Sequence, residues 1–282
     1  MIGVLVPILT FWVNLVLLSL GLAVVYGSSR ILNLAHGAFF ALGGYLASYL
    51  AFKMGLAGIA LAPAISLPAG ILFYYYIKGL ASGELEQIIS TYALLLIMEG
   101  LFKYVFGVGN YTASDQATSL GAVALGDAQL PISYLLGFAT AVIALGGFAY
   151  YLNKTRSGMY ARAFIDDREI AEAFGVNARA VEILLVTLGV FLAVLGGAVA
   201  SMWQAYGLGV AAEVLPYAFA VIVIGGLDNI WGVAAAAALV SALRTAVVYL
   251  YPELELVVLY LVVLAVLALR PRGLFARHAR SV

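Results

Sequence analysis

VEILLVTLGVFLAVLGGAVASMWQ, residues 181–204, is an almost unbroken run of Leu, Val, Ala, Ile, Phe and Gly. A helix needs about 20 predominantly apolar residues to cross the hydrocarbon core of a bilayer, and this stretch supplies them. The same ruler laid along the chain finds further candidate spans at 4–26, 37–53, 56–77, 88–107, 131–152, 214–228, 231–250 and 254–269. The second and seventh spans in chain order, 37–53 and 214–228, are short, so eight or nine crossings are expected. The composition agrees, because 65% of the 282 residues are apolar and only 10% are charged. Soluble domains carry roughly 45–50% and 25%, and a fold in water would lack a charged exterior. The expected fold class is therefore all-α, a polytopic transmembrane helix bundle occupying residues 1–282 as a single domain. Met1 to Phe11 contains no Lys or Arg, so the first apolar run reads as a retained span rather than a cleaved leader.

Lys and Arg resist translocation, so their placement sets the expected orientation. With nine spans, the segments 27–36, 78–87, 153–180 and 270–282 share one side, and of the 14 cations only Lys53, Lys103 and Arg244 fall elsewhere. That side is expected to be cytoplasmic, with the C-terminus on it, in a cell (inner) membrane. The 108–130 loop, with Asp115 and Asp127 and no cation, falls outside.

The longest polar interruption is 153–180, reading NKTRSGMYARAFIDDREIAEAFGVNARA. Asp166 followed by Glu169 has the form of a capping box, Gly175 can supply a left-handed terminator, and Asn177 can cap the next helix. These residues predict a two-turn helix over 167–174, with Ile170, Ala171 and Phe174 as a narrow apolar stripe. Such a helix could dock in a groove of a partner protein, or simply rest on headgroups or on its own bundle.

Glu169-x-Ala171-x-x-x-Gly175 resembles the Glu-Ala-Ala-x-x-x-Gly coupling motif of ABC importer permeases, with Ile170 at the first alanine position. Val25-Tyr-Gly-Ser-Ser-Arg-Ile-Leu-Asn-Leu-Ala-His-Gly37 and Ala41-Leu-Gly-Gly-Tyr45 resemble the signature of branched-chain amino acid permeases. Thr155-Arg-Ser-Gly158, Val223-Ile-Gly-Gly226 and Arg270-Pro-Arg-Gly-Leu-Phe275 resemble the same family in its expected order, and most closely its shorter permease subunit. The resemblance implies a second homologous permease, two cytoplasmic ATPase subunits and an extracytoplasmic binding protein as partners. It implies alternating-access transport of branched-chain or related small amino acids, with ATP used by the ATPases and no cofactor on this chain. It also implies ATPase coupling through Asp166, Glu169, Ala171, Phe174 and Gly175. Importers of urea, short amides or aromatic acids share the architecture. A self-sufficient secondary transporter or a membrane scaffold are the readings from other classes.

Asn33, His36 and Gly37 abut the short second span, and polar groups at membrane depth must find a partner or line a cavity. They are candidates for the translocation pathway; equally, Asn33 could cap the second span while His36 bonds a nearby carbonyl. Glu99 and Lys103 are spaced for an ion pair within one helix. Arg244 could face a second subunit, pair with Glu253 or Glu255, or attract a solute carboxylate. Arg30 is expected at the interface, Glu213, Asp228 and Asn229 at loop edges, and Met202-Trp203 and Tyr249 to Tyr251 as interfacial anchors. Gly196-Gly197 and Gly225-Gly226 read as close-packing sites.

The chain has no cysteine, its two histidines, His36 and His278, lie near opposite ends, and it contains no phosphate-binding Gly-x-x-x-x-Gly-Lys-Ser/Thr run. No metal site, catalytic constellation or nucleic-acid partner is expected.

Overall fold

Apolar side chains all round a helix need lipid or other helices on every side, and the computed structural model answers with a helical bundle. It describes residues 2–30, 32–80, 83–125, 128–226, 229–271 and 273–275. Ile31, Asp127, Asp228, Arg272, Arg277, His278 and Arg280, which entered the sequence reading, lie outside the described residues. In order, the elements are α1 (Ile2–Ser29), α2 (His36–Met54), α3 (Leu56–Ile65), α4 (Leu67–Leu80) and α5 (Glu84–Phe106). A short α6 (Ser114–Thr118) and an antiparallel hairpin of β1 (Ala122–Leu125) and β2 (Ala128–Pro131) follow. Then come α7 (Ile132–Lys154), α8 (Arg156–Asp166), α9 (Arg168–Ala173), α10 (Ala178–Ala200), α11 (Val210–Gly225), α12 (Ile230–Leu250) and α13 (Glu255–Leu269).

Among the described residues, seven segments are helical, long and apolar enough to cross a membrane, counting the Leu56–Gly79 stretch of α3 and α4 as one. The two expected spans outside that set are α2 and α11, the ones read as short. Their setting explains the difference: α2 touches α1, α3, α5, α10 and α11, so protein rather than lipid surrounds much of it. It therefore tolerates Ser48, three glycines and Tyr45 among its buried residues. By contrast, α13 keeps Leu256, Val257, Leu261 and Leu264 exposed, as a lipid-facing rim does.

The expected span 56–77 is not continuous. It breaks at Ser66 between α3 and α4, where Pro68 offers no amide hydrogen and the Ser66 hydroxyl donates to the carbonyl of Pro63. The span expected at 181–204 ends at Ala200; Met202 is buried and Trp203 packs against Tyr134. Glu213 sits in the first turn of α11, not at a loop edge, and Asn229 caps α12 by accepting from the amide of Trp231.

Helix α7 is 23 residues long, about 35 Å at 1.5 Å per residue. The hairpin lies at its start and α8–α9 at its finish, so these two features mark opposite ends of the bundle. Ser201, just past α10, accepts hydrogen bonds from Thr112 and from the amide of Ala113, which places that end of α10 with the hairpin.

Candidate functional site

The segment after α7 holds two helices where the sequence suggested one. Thr155 accepts from the amide of Gly158 at 3.0 Å and donates to the carbonyl of Tyr151 at 2.7 Å, starting α8 as a sharp reversal. A Cβ on Gly158 would collide with the backbone of Tyr151, which is why the Thr155-x-x-Gly158 motif needs that glycine. Ala161 and Phe164 bury one face of α8, while its charged face stays in the open.

Because α8 runs to Asp166, the N-cap of the next helix shifts by one residue. Asp167, not Asp166, accepts from the amide of Ile170 at 2.9 Å, and α9 spans 168–173 rather than 167–174. Gly175 takes φ +84°, the left-handed terminator expected of it, and Asn177 accepts from the amide of Ala180 to begin α10. The apolar stripe is divided. Ala171 is 2% exposed and packs inward, whereas Ile170 is 56% and Phe174 85% exposed. Glu169 is exposed in the first turn of α9. Replacing Asp167 by alanine is expected to cost about 1 kcal/mol of local helix stability, and replacing Asp166 almost none. Faster hydrogen exchange across 168–173 in the first variant alone checks this.

A residue that sequence reasoning missed ties this segment to the bundle. Glu182, in the first turns of α10, is 1% exposed, and it pairs with Lys78 of α4 at 2.8 Å and Arg168 of α9 at 3.4 Å. Arg168 also reaches Glu172 at 3.1 Å and stacks over the Phe164 ring. One buried carboxylate thus holds three helices. Nothing in local sequence announced it, since its partners sit on other helices.

Asn33 and His36 are both fully buried and form a relay: Asn33 Nδ2 lies 3.4 Å from His36 Nδ1, and His36 Nε2 lies 3.0 Å from the Leu18 carbonyl. If the amide donates to Nδ1, the proton on Nε2 goes to Leu18, so both ring nitrogens are satisfied in one tautomer. Thr91 of α5 pins the preceding backbone, donating to the carbonyl of Leu32 and accepting from the amide of Leu34. A Cβ on Gly37 would run into the carbonyl oxygen of Ala211, so that glycine lets α2 touch α11. Gly44 faces the ring of Tyr206, and Tyr45 stacks on Phe106 at 4.8 Å. Arg30, exposed at the end of α1, adopts a left-handed backbone with φ 55°.

Glu99 and Lys103 form no ion pair among the described residues. Glu99 turns across to accept from the amide of Gly209 at 3.1 Å, at the start of α11, where an anion suits the helix N-terminus. Arg244 takes one of its open alternatives, bonding Glu255 at 2.6 Å while lying 4.1 Å from the Phe11 ring centre; the Tyr217 hydroxyl also donates to Glu255. The Val223–Gly226 and Arg270–Phe275 motifs meet: the amide of Leu274 donates to Ile224, and Asn229 donates to the Phe275 carbonyl. No group of His, Asp and Glu able to hold a metal occurs among the described residues.

The profile of a family described as "Branched-chain amino acid transport system / permease component" matches residues 4–267. The high-affinity branched-chain amino acid transport system permease protein BraD of Pseudomonas aeruginosa is 23% identical, the match covering 93% of this chain and 91% of that protein. Its counterpart LivH of Escherichia coli is 21% identical with the same coverage. A protein of Methanocaldococcus jannaschii described as a probable branched-chain amino acid transport permease, LivH, is 27% identical over 77% of this chain and 72% of its own length. No solved structure matches the chain.

Proposed function

Because the chain belongs to the branched-chain amino acid transport permease family, we propose that it is one membrane-spanning subunit of an ATP-driven importer of branched-chain amino acids. A second homologous permease, two cytoplasmic ATPase subunits and an extracytoplasmic binding protein complete the assembly. Segment 153–180 and the C-terminus face the cytoplasm of a cell with the permease in its inner membrane. The chain itself performs no chemistry.

One observation carries the ATP-driven half of this reading. Helix α9 points Ala171 into its own bundle while leaving Ile170 and Phe174 bare, outside any span. An exposed aromatic on a capped helix outside any span suits insertion into a cleft of a partner. Asp166 ends α8 and Asp167 breaks the chain before α9, Glu169 faces outward from its first turn, and Gly175 ends it, so the helix is a discrete rod. Movement of the ATPases pushes on that rod, Arg168 passes the displacement to Glu182, and the bundle reorients about its pathway. Asn33, His36 and Gly37 shape that pathway by fixing where α2 starts.

Gly175→Val tests the docking. Its φ of +84° is hostile to a β-branched residue, though a Cβ there meets nothing within 4 Å. Strain of about 1–2 kcal/mol distorts the end of α9 and is expected to lower uptake about tenfold and weaken ATPase retention on purification, with membrane insertion unchanged. Undiminished ATPase association contradicts the docking role.

A further inference from the structure

We propose that the cleft bounded by α1, α11 and the Arg244–Glu255 pair is a solute-binding chamber within this single chain, built for a zwitterionic amino acid with an apolar side chain. The proposal rests on the importer reading above and adds where the solute sits. The cavity measures about 730 Å³, within the range of small-molecule sites. It lies toward the hairpin end, since Pro7 and Thr10 from the start of α1 and Trp203 and Gln204 from beyond α10 line it. That is the end opposite α9.

The lining separates into two chemistries. Phe11, Trp203 and Val214, each only partly buried, give an apolar wall suited to a branched aliphatic group, with Leu15, Leu18 and Phe40 packed behind it. The same cleft is also lined by Arg244, Glu255, Glu213, Asn14 and Gln204. Charges at membrane depth are expensive and mark solute pathways. Here Arg244 and Glu255 offset one another at 2.6 Å while remaining 32% and 22% exposed, so the pair is accessible from the cleft rather than sealed in the core. Glu213 is exposed and makes no hydrogen bond or ion pair among the described residues, leaving one uncompensated negative charge. Asn14 is 7% exposed; its amide nitrogen donates to Gln204 at 3.2 Å, and its buried carbonyl oxygen has no partner.

A zwitterion matches this arrangement. Its ammonium takes Glu213, and its carboxylate joins the guanidinium of Arg244, which has donors left beyond the Nε bonded to Glu255. The floor of the chamber is Leu18, whose carbonyl is held by His36. The buried relay described above therefore supports the chamber from beneath without touching the solute.

The chain contains no cysteine, so a single one at Ala212, an exposed residue on the cleft wall, gives a clean chemical handle. The complete importer, in proteoliposomes with its binding protein, is treated with a small methanethiosulfonate and assayed for leucine uptake; the same complex without Ala212→Cys is the control. Modification is expected to block uptake, and leucine delivered by the binding protein is expected to slow the modification. Glu213→Gln is expected to raise the KM for leucine about tenfold, the value of one charge-assisted bond. Full uptake by the modified complex, modification that leucine does not slow (as when a lipid headgroup fills the cleft), or an unchanged KM in the variant overturns the chamber. Failure of the unmodified complex to take up leucine, isoleucine or valine overturns the importer reading, and the chamber with it.

Discussion

Glu182→Gln lowers solute uptake by 10- to 100-fold (about 1–3 kcal/mol of lost coupling) while the protein inserts and melts almost as the parent does. The asymmetry follows from which partner is buried. Glu182 is 1% exposed, whereas Lys78 and Arg168 are 41% and 50% exposed. Neutralising the carboxylate removes the one charge that lies out of water, and the two cations resolvate readily. Half-exposed ion pairs contribute only about 1 kcal/mol or less to stability. What disappears is the tie between α9, α4 and α10. The reverse experiment, Lys78→Met together with Arg168→Met, strands Glu182 as an unpaired buried charge and is expected to cost about 3–5 kcal/mol. Detergent melts and uptake assays on both variants separate the two effects. Wild-type uptake per ATP hydrolysed in Glu182→Gln contradicts the strut; equal loss of melting temperature in both variants contradicts the burial argument.

Gly37→Ala and Gly43→Ala are expected to lose most folded protein, whereas Gly147→Ala is neutral or mildly stabilising. A Cβ at Gly37 strikes the carbonyl oxygen of Ala211, and one at Gly43 strikes that of Val194, while one at Gly147 meets nothing within 4 Å. Backbone cannot swing aside as a side chain can, so α2 must retreat from its neighbours along its length. Overpacking costs about 1–3 kcal/mol where side chains can adjust, and here they cannot. At Gly147 the change gains about 0.5–1 kcal/mol of helix preference. Yield of monodisperse protein and its melting temperature decide the matter. Parent-like Gly43→Ala protein would mean that α2 is not wedged as described.

The helical bundle was legible because span length is set by the bilayer rather than by tertiary detail, and α5, α7, α10 and α12 fall within a few residues of expectation. Gly175, Asn177 and the Arg244–Glu255 option were also legible, since each acts through local backbone or short-range charge. The cap of α9 was read one residue early, because two adjacent aspartates can both cap and only the unexpected α8 decides between them. The stripe of Ile170, Ala171 and Phe174 was right in spacing but blind to direction: of the three, only Ala171 is buried against the bundle. Glu99 was assigned the nearest cation, yet the amide of Gly209 competed successfully from across the fold. Glu182 and the cleft at Glu213 stayed hidden because their meaning lies in partners distant along the chain.

The interruption at Ser66 turns one crossing into two stiff segments meeting at an elbow. A shove arriving at Lys78 therefore reaches the far tip of the Leu67–Leu80 arm, where leverage about the elbow is greatest, and can swing that arm while the Leu56–Ile65 half stays clamped to α2. An unbroken rod would have to tilt as a whole, dragging the half packed on α2 with it.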